Sequence, residues 1–184
     1  MGWSHPNPSA MSGPEVTDSL VRYLAQHQST AKHIARKLAI RFVNDTPPQS
    51  LIDHLAAVYQ ANDTQIVPVL RALFSSAEFA TSAGQKFRRP YEDLVATLRA
   101  CGATPDPTSS SVDGVNTLGW FAETMGQIPM SWETPDGFPD TADKWNGGGT
   151  TLFRWNMHVG VTQHWALGGI IYPDLYKRLI TSTV

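Results

Sequence analysis

The residues best suited to chemistry lie in one turn-rich stretch between residues 132 and 145. This stretch combines aromatic and acidic side chains, namely Trp132, Phe138 and Trp145 with Glu133, Asp136, Asp140 and Asp143. Aromatic faces beside carboxylates are suited to gripping a sugar, and paired carboxylates can carry out glycoside hydrolysis. We therefore predict a ligand-binding site formed by Trp132, Asp136, Phe138, Asp140 and Trp145.

Two other interpretations of this loop remain open. Asp136, Asp140 and Asp143 offer the oxygen ligands that a hard cation prefers, although their spacing does not match the EF-hand pattern. Turn chemistry also explains most of the residues without a ligand. Pro135, Asp136 and Gly137 are typical of a tight turn, Asp140 is placed to cap a short helix toward Trp145, and the aromatic rings can hold the loop against the helices.

The basic residues favour structural roles. Arg89 stands just before a predicted helix, and we expect it to form a structural ion pair with Glu92, one turn further on. Another basic group follows one helical face and is interpreted as a solvated surface, comprising Lys32, Arg36, Lys37 and Arg41. The formal net charge is only −2. We therefore predict no nucleic-acid partner.

The other reactive side chains do not follow a known catalytic or metal-binding spacing. The histidines show no His-Glu-x-x-His arrangement, so we expect no metal site. A nucleophile elbow, a phosphate-binding loop and a dinucleotide fingerprint are also absent from the sequence, and we predict no cofactor. The single cysteine, Cys101, ends an apolar helical run, where a small buried hydrophobe is more usual than a nucleophile.

The sequence shows neither a secretory signal nor a membrane span. Its first residues lack both a charged flank and an apolar segment, so they do not resemble a signal peptide. The longest apolar patch, residues 165–172, is far shorter than the roughly 18 residues that a membrane helix needs.

A helical period dominates the elements that must position these residues. Apolar side chains recur every three to four positions through most of the first hundred residues, which indicates amphipathic helices. We expect Ser12 and Glu15 to form a capping box at the first helix, and Ser29 to cap the second. Asp63 or Thr64 is the expected cap of the fourth helix.

The predicted fold is mainly α, an irregular helical bundle that forms an incomplete domain and ends in a long loop-rich part. Since no window alternates with the two-residue period of a strand, we expect no sheet. The predicted organisation has five segments: an N-terminal loop (1–13), a helical bundle core (14–102), a Pro/Ser/Thr-rich linker (103–114), a helix followed by the Trp and Asp-Gly loop (115–158), and an irregular tail (159–184).

Three stretches together resemble a known family. They are residues 29–43, residues 69–79 with the Lys-Phe-Arg-Arg-Pro segment at 86–90, and the Trp-Glu-Thr-Pro-Asp-Gly-Phe-Pro-Asp segment at 132–140 before Leu-Phe-Arg-Trp-Asn at 152–156. Their order and spacing resemble the C-terminal half of the bacterial domain-of-unknown-function family numbered 1800. The resemblance covers approximately residues 16–158, and the tail after residue 158 departs from the family's pattern.

The resemblance implies a largely helical protein that is often exported and has no settled biochemical activity. The N-terminal half of the family carries a Trp-His-x-His-Phe-like segment and an Arg-Glu-Leu-x-Glu-Leu-like segment, and neither occurs in this sequence. Those segments would supply the metal or acid/base candidates. The implied partner of this chain is therefore the missing N-terminal half of the same domain.

These observations lead to two hypotheses about function. The first is a non-catalytic helical fragment with a structural or interaction role within a larger, exported bacterial protein. The alternative is part of a hydrolase-like enzyme that acts on a polymer or glycan. In that case the active centre would lie mainly in the missing half, with the Asp136 to Asp140 loop at its rim.

Overall fold

The computed structural model describes residues 2–6, 12–165 and 167–174. The chain divides into two compact units, Met1–Lys86 and Phe87–Val184, each with its own hydrophobic core. Helices account for most of the regular structure in the described residues, which confirms the predicted mainly α fold. None of the described helices has both the length and the apolar character that a membrane crossing would need.

The first unit is built from helices in its described residues. They are α1 (Gly13–Gln26), α2 (Gln28–Phe42), α3 (Gln49–Ala61), α4 (Ile66–Phe74) and the single turn α5 (Ala77–Ala80). Its core centres on α2 and α3. The α2 residues Ala31, Ala35 and Ala39 are fully buried at four-residue spacing, and on α3 the side chains of Leu51 and Leu55 pack into the same cluster. Small side chains along one face allow two helices to approach closely.

The caps of this unit differ from those predicted. The N-cap of α2 is His27 rather than Ser29, because the His27 Nδ1 accepts the backbone N–H of Ser29 at 3.1 Å. Ser12 does precede α1, but its side chain makes no capping hydrogen bond. Asp63 and Thr64 have φ values of 47° and 65°, whereas an N-cap residue needs an extended backbone. The fourth helix therefore starts later, at Ile66.

The second unit contains three longer helices in its described residues. Its elements are α6 (Pro90–Cys101), β1 (Thr104–Pro105), α7 (Asp113–Thr124), a 3-10 turn (Ala142–Lys144), α8 (Gly148–Thr162) and β2 (Ile170–Ile171). The core cluster draws on all three helices and contains Leu94, Cys101, Phe121, Met125, Met157 and Val161. Cys101 is buried in this cluster, as its place in the apolar run predicted.

A small sheet joins two segments for which the sequence indicated no strand. β1 and β2 run antiparallel, with Thr104 opposite Ile171 and Pro105 opposite Ile170. Two-residue strands are too short to show an alternating pattern. Gly169, just before β2, has a φ of 82°, and a Cβ there would meet the Ser111 carbonyl oxygen at 2.4 Å. The close approach of the two segments therefore requires glycine at this position.

The buried alanine face of α2 leads to a test of packing. Replacing Ala35 by Leu should lower the free energy of unfolding by about 1–3 kcal/mol, because the added atoms must displace α3. Urea denaturation followed by far-ultraviolet circular dichroism measures this change. Ala57→Leu is the matched control, since Ala57 is exposed on α3. Equal losses in both variants would contradict the close packing of α2 and α3.

Candidate functional site

The aromatic side chains of the predicted loop site lie side by side. The ring centroids of Trp132 and Phe138 are 5.0 Å apart, and those of Phe138 and Trp145 are 6.1 Å apart. Trp145 is buried, and its indole nitrogen donates to the Pro139 carbonyl oxygen at 2.8 Å. Much of this aromatic surface is therefore used to hold the loop together.

The two carboxylates of the predicted site make different contacts. Asp136 accepts the Trp132 indole N–H at 3.1 Å and also bonds the Thr134 hydroxyl. Asp140 lies 3.7 Å from the Arg89 Nε. The same nitrogen donates to Glu92 at 3.0 Å, so the two carboxylates share one guanidinium group. The Arg89–Glu92 pair is thus present in the structure.

The expected helix cap at Asp140 is not formed. Thr141 holds the N-cap position of the 3-10 turn and makes no capping side-chain bond, because its hydroxyl donates instead to the Asp143 carboxylate at 2.5 Å. That hydrogen bond lowers the pKa of Asp143. Among the described residues, no group of three or more acidic, histidine or cysteine side chains could hold a metal ion.

Part of the loop borders a cavity of about 280 Å³. The cavity is lined by Gly126, Ser131, Trp132, Glu133, Thr134 and Phe138. The structure therefore brings Trp132 and Phe138 to one opening with Glu133, a carboxylate outside the predicted ligand-binding set. Asp136, Asp140 and Trp145, the other members of the predicted site, do not line it.

A second cluster, which the sequence analysis missed, joins α6 to α8. The Oδ2 of Asp93 accepts the Arg154 Nε at 2.9 Å and lies 3.0 Å from the His158 Nε2. The Asp93 and Arg154 side chains are only 11% and 13% exposed, whereas that of His158 is 41% exposed. We call these three residues the Asp93 cluster.

Local structure explains why these side chains meet. Asp93 lies in the first two turns of α6, where a carboxylate interacts favourably with the helix dipole. Arg154 and His158 are four residues apart on α8 and so share one helical face. That spacing was visible in the sequence. Nothing local indicated a carboxylate partner more than sixty positions earlier.

A cavity of about 230 Å³ opens beside the Asp93 cluster. Its other walls are Phe87, Asn146, Thr151 and Trp155. The guanidinium carbon of Arg154 sits 4.7 Å from the centre of the Phe87 ring, a cation–π contact. The cavity thus combines aromatic walls, polar side chains and a partly buried cation.

A larger apolar cleft lies on a different face of α8. Its volume is about 450 Å³, and it is lined by Trp120, Phe121, Phe153, Asn156, Val159, Gly160, Gln163 and Trp165. Gly160 has a specific role here, because a Cβ at this position would stand 3.1 Å from the Phe121 ring. The cleft therefore has a floor of buried Phe121 and walls of exposed tryptophan.

One buried hydroxyl belongs to the core and not to these openings. The Tyr172 oxygen has no hydrogen-bond partner among the described residues, and burial, with a smaller contribution from Cys101, raises the pKa of Tyr172 to about 12. The Tyr172 ring stacks on His164 at 4.3 Å. This phenol therefore remains neutral at physiological pH.

A comparison with protein families identifies the chain. The family model described as a protein of unknown function (DUF1800) matches residues 1–183, and the chain belongs to this family. Because the match includes the stretch after residue 158, the prediction that the tail departs from the family's pattern is wrong. Searches of the curated proteins and of the solved structures found no match.

The Asp93 cluster leads to a stability prediction. Asp93→Asn keeps the shape of the side chain but leaves the Arg154 charge largely buried without its counterion. We expect the free energy of unfolding to fall by about 3–5 kcal/mol, measured by urea denaturation. Asp18→Asn is the control, since it breaks a solvent-exposed pair with Arg22 and should have little effect. Similar losses in both variants would contradict a structural role for Asp93.

Proposed function

We propose that this chain is a non-catalytic helical module with a structural or interaction role within a larger, exported bacterial protein. In this proposal it forms the C-terminal half of the family's domain, and α8 is its docking helix. The observation that carries the proposal is the apolar surface that α8 turns away from its own core.

Helix α8 has apolar side chains on two opposite sides. Met157 and Val161 are fully buried in the core of the second unit. Leu152, Trp155 and Val159 lie on the other side at helical spacing and are 57%, 63% and 52% exposed. A helix that is apolar on both sides is typical of one packed between two layers.

The neighbouring tryptophans extend this surface. Trp120 of α7 is 46% exposed and contacts Phe153, and Trp165 is 63% exposed just after α8. Together with Val159 on the outward side of α8 they border the 450 Å³ cleft. Exposed aromatic residues around a pocket are the usual anchors of a protein–protein interface. The occupant that we propose is the N-terminal half of the same domain.

This proposal is tested by supplying an N-terminal half of a family domain as a separate polypeptide. We expect Trp155→Ser and Val159→Ser each to weaken its association with the chain at least about tenfold, since anchor residues lose their buried contact. Isothermal titration calorimetry measures the affinity. Thermal melts by circular dichroism should stay unchanged, because both side chains are exposed in the chain alone.

The control for this experiment is Val21→Ser, which removes an equally exposed valine from α1. It should leave the association unchanged. No association of the unsubstituted chain, or an equal loss in the control, would contradict the role assigned to α8.

A second candidate function is a hydrolase-like enzyme that acts on a polymer or glycan, with the Trp132 loop at the rim of its active centre. The cavity of about 280 Å³ favours it, because a half-exposed tryptophan and the Glu133 side chain line the same opening. An aromatic face next to polar groups is suited to a sugar ring. Intact His- and Glu-bearing family segments encoded upstream of this chain would support this candidate over the first.

The glycan hypothesis makes its own prediction. Titration with cello-, xylo- and chito-oligosaccharides should change the tryptophan fluorescence of the chain, and Trp132→Ala should abolish that change. Asp136→Ala should weaken binding, because the indole loses its hydrogen-bond acceptor. Asp140→Ala should not, because Asp140 faces Arg89 instead. Trp3→Ala is the control. If Asp136→Ala lowers only the melting temperature, the sugar-binding hypothesis fails.

A further inference from the structure

Arg88 lies next to the Asp93 cluster and adds positive charge that the single carboxylate cannot balance. Arg154 donates to Asp93 at 2.9 Å, and Arg88 approaches the other carboxylate oxygen at 3.9 Å. Two guanidinium groups thus face one carboxylate, which leaves a net charge of +1 even when His158 is neutral. The Arg88 side chain is 58% exposed, so water screens part of this excess, but beside the largely buried Arg154 it still favours the binding of an anion.

Arg154 has more hydrogen-bond donors than its contact with Asp93 uses. Only its Nε is engaged with Asp93, and Phe87 covers one side of the guanidinium plane. Among the described residues the terminal nitrogens have no protein acceptor, and they are not sealed from solvent. A guanidinium that is held in place while its two terminal nitrogens stay available is suited to a paired contact with a planar anion.

The cavity around these donors has further groups for a ligand. Asn146 and Thr151 add an amide and a hydroxyl, and Trp155 contributes an exposed ring. Thr151 lies in the first turn of α8, where the helix dipole favours negative charge. The volume of about 230 Å³ suits a small group and not a polymer chain.

We propose that this cavity binds the carboxylate of a small organic acid, with Arg154 as the anion-binding residue and Trp155 as the wall for the organic part. A carboxylate carries one negative charge, which matches the excess of +1, whereas a phosphate dianion exceeds it. The site shares Trp155 with the outward apolar contact proposed for α8, but Arg154 belongs to this site alone and Val159 to that contact alone, so substitutions of Arg154 and Val159 test the two proposals independently.

The test is a set of calorimetric titrations of the whole chain. Acetate, benzoate and D-glucuronate are compared with their neutral counterparts acetamide, benzamide and D-glucose, and with inorganic phosphate. We expect benzoate or D-glucuronate to bind saturably and at least about tenfold more tightly than its neutral counterpart. No saturable carboxylate binding, equal binding of the neutral compound, or tighter binding of phosphate would overturn the proposal.

Substitutions test which residues bind the carboxylate. Arg154→Gln should abolish carboxylate binding, and Arg154→Lys should weaken it, since lysine keeps the charge but loses the planar fork.

Trp155→Ala tests the site even if both Arg154 variants fail to fold, because Trp155 is exposed and its replacement should not unfold the chain. It should weaken benzoate at least about threefold while leaving acetate nearly unchanged, because only benzoate has a ring to pack against the indole. Arg22→Gln removes the same charge from an exposed helix face and should change nothing. A loss in Arg22→Gln, or unchanged benzoate binding in Trp155→Ala, would overturn the assignment.

Discussion

The packing of the second unit depends on how the negative charge of the Asp93 carboxylate is paired and hydrogen-bonded. A carboxylate that is largely removed from water costs several kcal/mol unless it is paired and hydrogen-bonded. Arg154 and His158 provide that pairing from α8, at 2.9 and 3.0 Å. Because both come from one face of α8, they fix how that helix is rotated about its axis. Met157 and Val161 then face the core, while Trp155 and Val159 must face outward.

This rotation gives α8 three distinct surfaces. One side packs into the core of the unit, one carries the Arg154 and His158 side chains, and one exposes apolar residues beside the cleft. Trp155 stands between the polar and the apolar surfaces, since it lines the cavity at the Asp93 cluster and is also exposed. The loop from residue 132 to 145 is different, because several of its hydrogen bonds join residues of the loop itself, such as Trp132 to Asp136 and Trp145 to Pro139.

Local patterns in the sequence predicted the helical character of the chain, because apolar spacing depends only on near neighbours. They also placed the buried Cys101 and the contact between Arg89 and Glu92, which lie within one helical turn of their surroundings. Three kinds of feature escaped prediction. A histidine cap at His27 competes with a better-known cap at Ser29, and strands of two residues have no measurable period. The Asp93 cluster needs two helices to pack before its members become neighbours.

The most direct test of this account is a double-mutant cycle between Asp93 and Arg154. The free energy of unfolding is measured by urea denaturation for the unsubstituted chain, Asp93→Asn, Arg154→Gln and the double variant. If the pair joins α6 to α8 as described, the double variant loses clearly less stability than the sum of the two single losses, with a coupling energy above about 1 kcal/mol. Losses that add to within about 0.5 kcal/mol would show that the two residues act independently, and would contradict the account.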